Sequence, residues 1–125
     1  MITFKSPICS EHIWYLCLKT NKEIEELYYS DTKKKEQEKD IHGIIEYINS
    51  TIYIDKNLDD VLLVKEIRKQ LMRIYLYDTG MDNILYSEEN FCDIVSVAAP
   101  VICKKAEKIF SKIKNNRGGK KWLHL

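Results

Sequence analysis

The segment from Leu58 to Asp78 constrains the fold most strongly, because its apolar residues recur at the spacing of an amphipathic helix. The residues that set this period are Leu58, Leu62, Ile67, Leu71, Ile74 and Tyr75. Gly80 follows as a suitable stop, since glycine readily adopts the left-handed conformation that ends many helices. We therefore predict a helix over about 58–79, with its apolar face packed against a second layer.

A second long helix is predicted to begin after Ser87, a good N-cap that is followed by two acidic residues in the first turn. Its apolar face consists of Phe91, Ile94, Val95, Ala98, Val101, Ile102, Ile109 and Ile113. Pro100 falls inside this segment and predicts a kink or a restart. The stretch 115–119 predicts the end, which places the helix at about 87–113.

The N-terminal half has the composition of β-strands. Ile2 to Lys5 is short and β-prone, and His12 to Lys19 is apolar and aromatic, as in a buried strand. Ile41 to Tyr47 and Thr51 to Asp55 are rich in isoleucine, tyrosine and threonine, with Asn49 and Ser50 between them. These two arms predict an antiparallel hairpin.

Two further segments complete the N-terminal half. Asn21 to Tyr29 fits a short helix capped by Thr20 or Asn21, or a strand, and the pattern does not decide between them. Ser30 to Asp40 contains no apolar residue and predicts an exposed loop. The fold class that follows is α+β, with a small antiparallel sheet packed against two long C-terminal helices. We expect a single domain over 1–114 and a basic C-terminal tail over 115–125.

Four short segments carry a resemblance to a known family. They are the strand Gly43–Tyr47, the strand Thr51–Asp55, the helix end Tyr75–Gly80 (YLYDTG) and the stretch Tyr86–Pro100 (YSEENFCDIVSVAAP). In this order and at this spacing they are similar to segments of the ImmA/IrrE-type zinc peptidases of phages and mobile elements. The resemblance covers roughly half of the chain and implies a minimal zincin-like fold.

The metal-binding motif of that family is replaced in this chain. The resemblance places Lys69 and Arg73 where the family has the two histidines of HExxH, and Gln70 where it has the catalytic glutamate. Lysine and arginine are cations that repel Zn²⁺, and glutamine cannot take a proton from water. We therefore expect a degenerate site with no metal, no cofactor and no peptidase activity.

Glu89 matches the position of the family's third zinc ligand. Two interpretations of it stay open. In one, Glu89 pairs with Arg73 or Lys69, so that all four positions, Gln70 included, cluster where the zinc would lie. In the other, Glu89 is an acidic residue of a first helical turn, favoured there by the helix dipole.

Other catalytic or metal sites are less favoured by the sequence. Cys9, His12 and Cys17 could form a ligand set, but a strand would direct His12 and Cys17 to opposite faces. A zinc peptidase with unorthodox ligands would need His12, His42 and Glu89 to converge. Cys92, beside Asp93, suggests a thiol nucleophile, whereas a buried structural cysteine is the commoner case for a helix.

The charge of the chain is concentrated at its C-terminal end. From Lys104 to Leu125 there are eight basic residues and one acidic residue, Glu107, which gives +7. The basic residues are Lys104, Lys105, Lys108, Lys112, Lys114, Arg117, Lys120 and Lys121. Because the whole chain carries +1, the remainder carries −6. This region is interpreted as a solvated helix end, with nucleic-acid binding as the alternative. The apolar C-terminal stretch that begins at Trp122 is expected either to dock on the domain or to bind a partner.

The function expected from these observations is that of a non-catalytic pseudo-metallopeptidase, a protein-binding inhibitor or regulator. The resemblance implies phage or mobile-element origin and, as partner, a host or element regulator or a host defence complex, in an anti-CRISPR-like counter-defence role. Alternatives are a nucleic-acid-binding regulator and the unorthodox zinc peptidase. No apolar run approaches the roughly 20 residues that span a bilayer, so we expect no membrane association. No secretory signal is evident, so we expect the protein in the cytoplasm of the bacterial host cell, with its cysteines reduced.

Overall fold

The computed structural model describes the backbone of residues 1–32, 41–82 and 85–122 and the side chains of 1–29, 41–82 and 85–116. The elements are β1 (Ile2–Lys5), β2 (Ile13–Lys19), α1 (Asn21–Thr32), β3 (Gly43–Glu46), β4 (Thr51–Asp55), α2 (Asp60–Asp78) and α3 (Glu88–Trp122). The predicted α+β class is confirmed, because a four-stranded sheet in the N-terminal half precedes two long helices.

The sheet is mixed, with the strand order β1-β2-β4-β3. The outer pairs β1–β2 and β3–β4 are antiparallel, and the predicted hairpin is confirmed as β3–β4. The central pair β2–β4 is parallel, so the prediction of an all-antiparallel sheet is wrong at this pair. Side chains alternate between the two faces of the sheet in parallel and antiparallel strands alike, so this alternation does not reveal the direction of a strand. The direction follows from α1 and β3, which supply the crossover that a parallel pair requires.

Both long helices begin with a side-chain cap, and the predicted cap Ser87 is confirmed for α3. The Asp59 carboxylate accepts a hydrogen bond from the backbone of Leu62 at 2.9 Å, and the Ser87 hydroxyl accepts one from the backbone of Asn90 at 3.2 Å. α3 continues through Pro100 and reaches Trp122, so the restart at Pro100 and the end near 113 are both wrong. Pro100 is exposed, and the buried residues that follow it hold the helix on the core despite the proline.

The undecided segment after β2 is a helix. The Thr20 hydroxyl accepts from the backbone of Glu23 at 3.2 Å, and the Glu23 carboxylate accepts from the backbone of Thr20 at 3.1 Å, which together form a capping box. α1 extends to Thr32, so the first residues of the predicted loop are helical. The rest of that loop, 33–40, lies outside the described residues.

The core lies between the sheet and the two long helices. Its fully buried side chains include Trp14, Leu16, Ile52, Ile54, Leu63, Ile67, Leu71, Ile74, Ile109 and Ile113. Burial of one such aliphatic side chain contributes roughly 1.5–3 kcal/mol, so this layer dominates the stability of the fold. The inward face of α2 also carries two polar residues, Glu66 and Gln70, beneath the edge strand β3.

Candidate functional site

A chain of three polar side chains runs along the inward face of α2. Gln70 is completely buried, and its Nε2 donates to Glu66 Oε2 at 2.7 Å. Arg73 Nη1 donates to Gln70 Oε1 at 3.2 Å. Both ends of the Gln70 amide are therefore occupied, as a buried polar group requires.

Gly43 leaves the space that this chain occupies. A Cβ atom at position 43 would lie 2.5 Å from Glu66 Oε2 and 2.8 Å from Gln70 Nε2, closer than real Cβ atoms approach. A side chain at position 43 would therefore require Glu66 and Gln70 to shift from the positions in which they meet. The sequence signal for this contact is the spacing of Glu66 and Gln70, which share the helical period of the buried Leu63, Ile67 and Ile74.

The four positions predicted to cluster are only partly brought together. Gln70 and Arg73 are in contact, whereas Lys69 and Glu89 are exposed. Among the residues with described side chains, no hydrogen bond or ion pair joins Glu89 to Arg73 or Lys69. Arg73 thus has Gln70 as its partner, and Glu89 is an acidic residue of the first turn of α3.

Aromatic side chains lie next to the polar chain. The rings of Tyr47 and Tyr77 are 4.5 Å apart between centroids, and Trp14 meets each of them edge to face at 6.4 and 6.5 Å. Burial raises the pKa of Tyr47 above its ordinary value of 10.0, and the nearby Arg73 charge opposes that increase. The polar chain of α2 and this aromatic group are therefore electrostatically linked.

A second polar network links His12, Ser50 and Asp78. His12 Nδ1 lies 3.0 Å from Asp78 Oδ1, and His12 Nε2 lies 2.7 Å from Ser50 Oγ. An ionised carboxylate can only accept, so Nδ1 carries the proton, and in neutral His12 the free Nε2 accepts the Ser50 hydroxyl proton. The Ser6 hydroxyl donates to the other oxygen of Asp78. This connectivity is the one found in serine-nucleophile enzymes.

The same network joins three separate parts of the fold. His12 precedes β2, Ser50 ends the turn between β3 and β4, and Asp78 ends α2. Ser50 has a φ of +48°, the left-handed region that residues other than glycine rarely adopt. The Asp78 side chain is only 8% exposed. No local sequence motif predicts this network, because its members are far apart in the sequence.

The remaining candidate ligands lie apart from one another. His42 pairs with Asp55 at 3.0 Å, whereas His12 belongs to the network described above. Within the described ranges, no three histidine, cysteine, aspartate or glutamate side chains form a potential metal-ligand group, so the structure does not bring His12, His42 and Glu89 together. All four cysteines are free. Cys92 is exposed, so the expectation that it is buried is wrong.

The basic residues of α3 divide into an exposed and a half-buried part. Lys104, Lys108, Lys112 and Lys114 are exposed, and Lys105 is half-buried. Lys114 Nζ lies 3.2 Å from Asp60 Oδ1 and links α3 to the start of α2. The backbone of Arg117, Lys120, Lys121 and Trp122 is helical, but their side chains lie outside the described ones. No helix in the described part of the chain is both long and apolar enough to span a bilayer.

Comparison of the chain with models of protein families, with curated proteins and with solved structures finds no match. The resemblance to ImmA/IrrE-type peptidases therefore depends on the four sequence segments alone.

Proposed function

We propose that this protein is a non-catalytic relative of zinc peptidases that acts by binding another protein. One observation carries the proposal: Gln70, which occupies the position of the general base in that resemblance, is fully buried with both ends of its amide hydrogen-bonded. A side chain in this state contacts no solvent and has no basic group with which to activate a water molecule. It packs against Gly43 of β3, while its hydrogen bonds stay within α2.

The two flanking positions support the same proposal. Arg73 holds its positive charge at the side-chain oxygen Oε1 of Gln70, and Lys69 projects an ammonium group from the exposed side of α2. Neither side chain offers a lone pair to a metal ion at neutral pH, and both charges repel one. In this protein α2, which corresponds in the resemblance to the zinc-binding helix of the peptidases, supplies internal hydrogen bonds and surface charge.

Binding of a protein is favoured by the surface of α3. Phe91 is 53% exposed and Val97 is 64% exposed, and Val95 and Val101 are exposed as well. Phe91 with Val95, and Val97 with Val101, form two pairs one helical turn apart, and exposed apolar side chains of this kind commonly take part in contacts with other proteins. By analogy of context, the partner proposed is a host or mobile-element regulator or a defence complex in the bacterial cytoplasm, which the chain would inhibit.

The test is capture of the partner followed by reconstitution. A tagged chain is expressed in bacterial cells, the captured protein is purified separately, and the two are mixed at known concentrations. We expect a complex of defined stoichiometry in which the intact mass of the partner is unchanged. A partner that is shortened or chemically altered after mixing would exclude a purely binding role.

A second candidate, acyl transfer through a serine nucleophile, is favoured by the hydrogen bonds from Ser50 to His12 and from His12 to Asp78. In such a step Ser50 Oγ would bond to the carbonyl carbon of an ester while its proton moves to His12 Nε2. The same proton would leave with the alcohol as the ester C–O bond breaks, and water would then take the acyl group from Ser50. A fluorophosphonate probe tests this candidate, because an adduct on Ser50 that is lost in His12→Gln supports it, and an unmodified Ser50 excludes it.

A further inference from the structure

A groove of about 330 Å³ lies between the edge strand β1 and α3. Four lysines line it, namely Lys5 from β1 and Lys105, Lys108 and Lys112 from α3. No acidic side chain is among the described residues that line it. Burial and the charges of Lys108, Lys112 and Lys5 lower the pKa of Lys105 below its ordinary value of 10.5. The groove is therefore a region of unbalanced positive charge.

The wall of the groove on the β1 side is formed by backbone groups that do not pair with β2. Ser6 donates its backbone N–H to the carbonyl of His12 at 2.9 Å, so Ser6 faces β2. Alternate residues of an antiparallel strand direct their backbone groups to the same side, so Phe4 also faces β2. The backbone N–H and carbonyl groups of Thr3 and Lys5 therefore point towards the groove. Lys112 Nζ lies 3.4 Å from the carbonyl oxygen of Thr3, which agrees with this direction.

The lysines of α3 follow the line of the strand. Lys112 contacts Thr3, and Lys105 lies close enough to Lys5 for their charges to interact. The helix rise places Lys105 and Lys112 roughly 10 Å apart along the axis. An added strand of four residues spans about 13 Å, with side chains of one face about 7 Å apart. Two carboxylates on alternate positions of such a strand, about 7 Å apart, fall within the length of the lysine row.

From these contacts we propose that the β1 edge and the lysine row of α3 form a docking groove for an acidic, extended segment of a partner protein. The segment would add to the sheet beside β1, with backbone hydrogen bonds to Thr3 and Lys5 and with its carboxylates at the lysines of α3. Ile13, which is 40% exposed, supplies an apolar contact for the alternate side chains. This inference rests on the proposed protein-binding function and assigns it a surface.

The lining of the groove favours an acidic peptide over a nucleic acid. Nucleic-acid grooves combine positive charge with exposed aromatic rings on which bases stack. Phe4, the one aromatic side chain among the described residues lining this groove, is only 5% exposed. A phosphate backbone also lacks the alternating amide donors and acceptors that would pair with an open strand edge.

The test uses a fluorescein-labelled peptide of alternating glutamate and valine, with binding followed by fluorescence anisotropy. We expect saturable binding that weakens as salt is added, and at least tenfold weaker binding to Lys108→Glu/Lys112→Glu. The control Lys69→Glu/Lys104→Glu makes the same change in net charge at exposed lysines outside the groove and should bind as the wild type does. Equal losses in both variants would overturn the proposal.

Two further probes test the geometry and the class of ligand. Two peptides are compared, one N-methylated at its odd-numbered amides and the other at its even-numbered amides. One should lose binding and the other keep it, because only one of these two sets of amides faces β1. Equal binding of both peptides, or tighter binding of a single-stranded oligonucleotide, would overturn the proposal. If a captured partner binds Lys108→Glu/Lys112→Glu as tightly as wild type, the groove assignment fails while the proposed function stands. If no partner is captured, the proposed function itself fails.

Discussion

Glu66 and Gln70 meet through a hydrogen bond of 2.7 Å directly against the backbone of Gly43. Glu66 is 9% exposed and Gln70 is not exposed at all. A carboxylate and an amide one helical turn apart thus fill the space between α2 and β3 that aliphatic side chains fill elsewhere in the core. The pair depends on Gly43, on the helix period and on the closing hydrogen bond from Arg73.

Gly43→Ala should destabilise the protein, because the new Cβ would overlap the side-chain atoms of Glu66 and Gln70. Overpacking of a filled core typically costs about 1–3 kcal/mol. Urea unfolding measures the cost, and in a Glu66→Asp background it should be smaller, since the shorter side chain leaves room. An equal cost in both backgrounds would show that the contact with Glu66 is not the cause.

The wild-type protein should contain no zinc when it is purified without chelator, and a chelator should leave its melting temperature unchanged. At about 4 Å and an effective dielectric constant near 20, each cation at position 69 or 73 would repel a unit positive charge by roughly 4 kcal/mol, and a divalent ion by about twice that. Metal analysis by mass spectrometry is the measurement. One equivalent of zinc per chain would contradict the pseudo-enzyme proposal.

The triple variant Lys69→His/Gln70→Glu/Arg73→His should gain zinc binding if Glu89 is the inherited third ligand. Lys69→His alone should not, because one imidazole and one carboxylate do not complete a site. Isothermal titration with zinc distinguishes the two variants. Adding Glu89→Ala to the triple variant is the control, and retention of full affinity there would remove Glu89 from the ligand set.

Asp78→Asn should weaken the network that joins His12, Ser6 and the end of α2. The carboxylate accepts from both His12 and Ser6, and loss of a hydrogen bond to a charged group costs about 1.5–3 kcal/mol. The urea midpoint should therefore fall, whereas the exposed Asp93→Asn should leave it nearly unchanged. Matching midpoints for both variants would mean that the network contributes little to stability.

Lys105→Met should raise the melting temperature at neutral pH and low salt. The folded protein holds the Lys105 proton less tightly than the unfolded chain does, because burial and neighbouring lysines lower its pKa. The charged side chain therefore reduces stability at neutral pH, and this deficit disappears as the pH rises through the lowered pKa towards 10.5. The advantage of the variant should shrink over the same range.

Lys104→Met is the matched control for that experiment, since Lys104 is the adjacent, exposed lysine of the same helix and does not line the groove. The melting temperatures of both variants are recorded by circular dichroism from pH 7 up to the ordinary lysine pKa of 10.5. An equal increase in both would attribute the effect to net charge rather than to the groove.

Local patterns in the sequence determined the extent of α2, the start of α3 at Ser87 and the β3–β4 hairpin. Each of these depends on residues within one element or on a cap beside it, so periodicity and side-chain chemistry were sufficient to predict them. The same patterns placed the end of α3 near 113, whereas the helix reaches Trp122, because the asparagines and glycines at 115–119 lower helix propensity without forbidding a helix.

Tertiary structure alone decided which distant residues meet. The parallel pairing of β2 with β4 depends on how the crossover returns the chain, since strand alternation carries no direction. His12, Ser50 and Asp78 converge only after the sheet and α2 have packed, and the groove exists only because β1 is an edge strand beside α3. Contacts of this kind are set by the packing of whole elements, and short segments of sequence do not encode that packing.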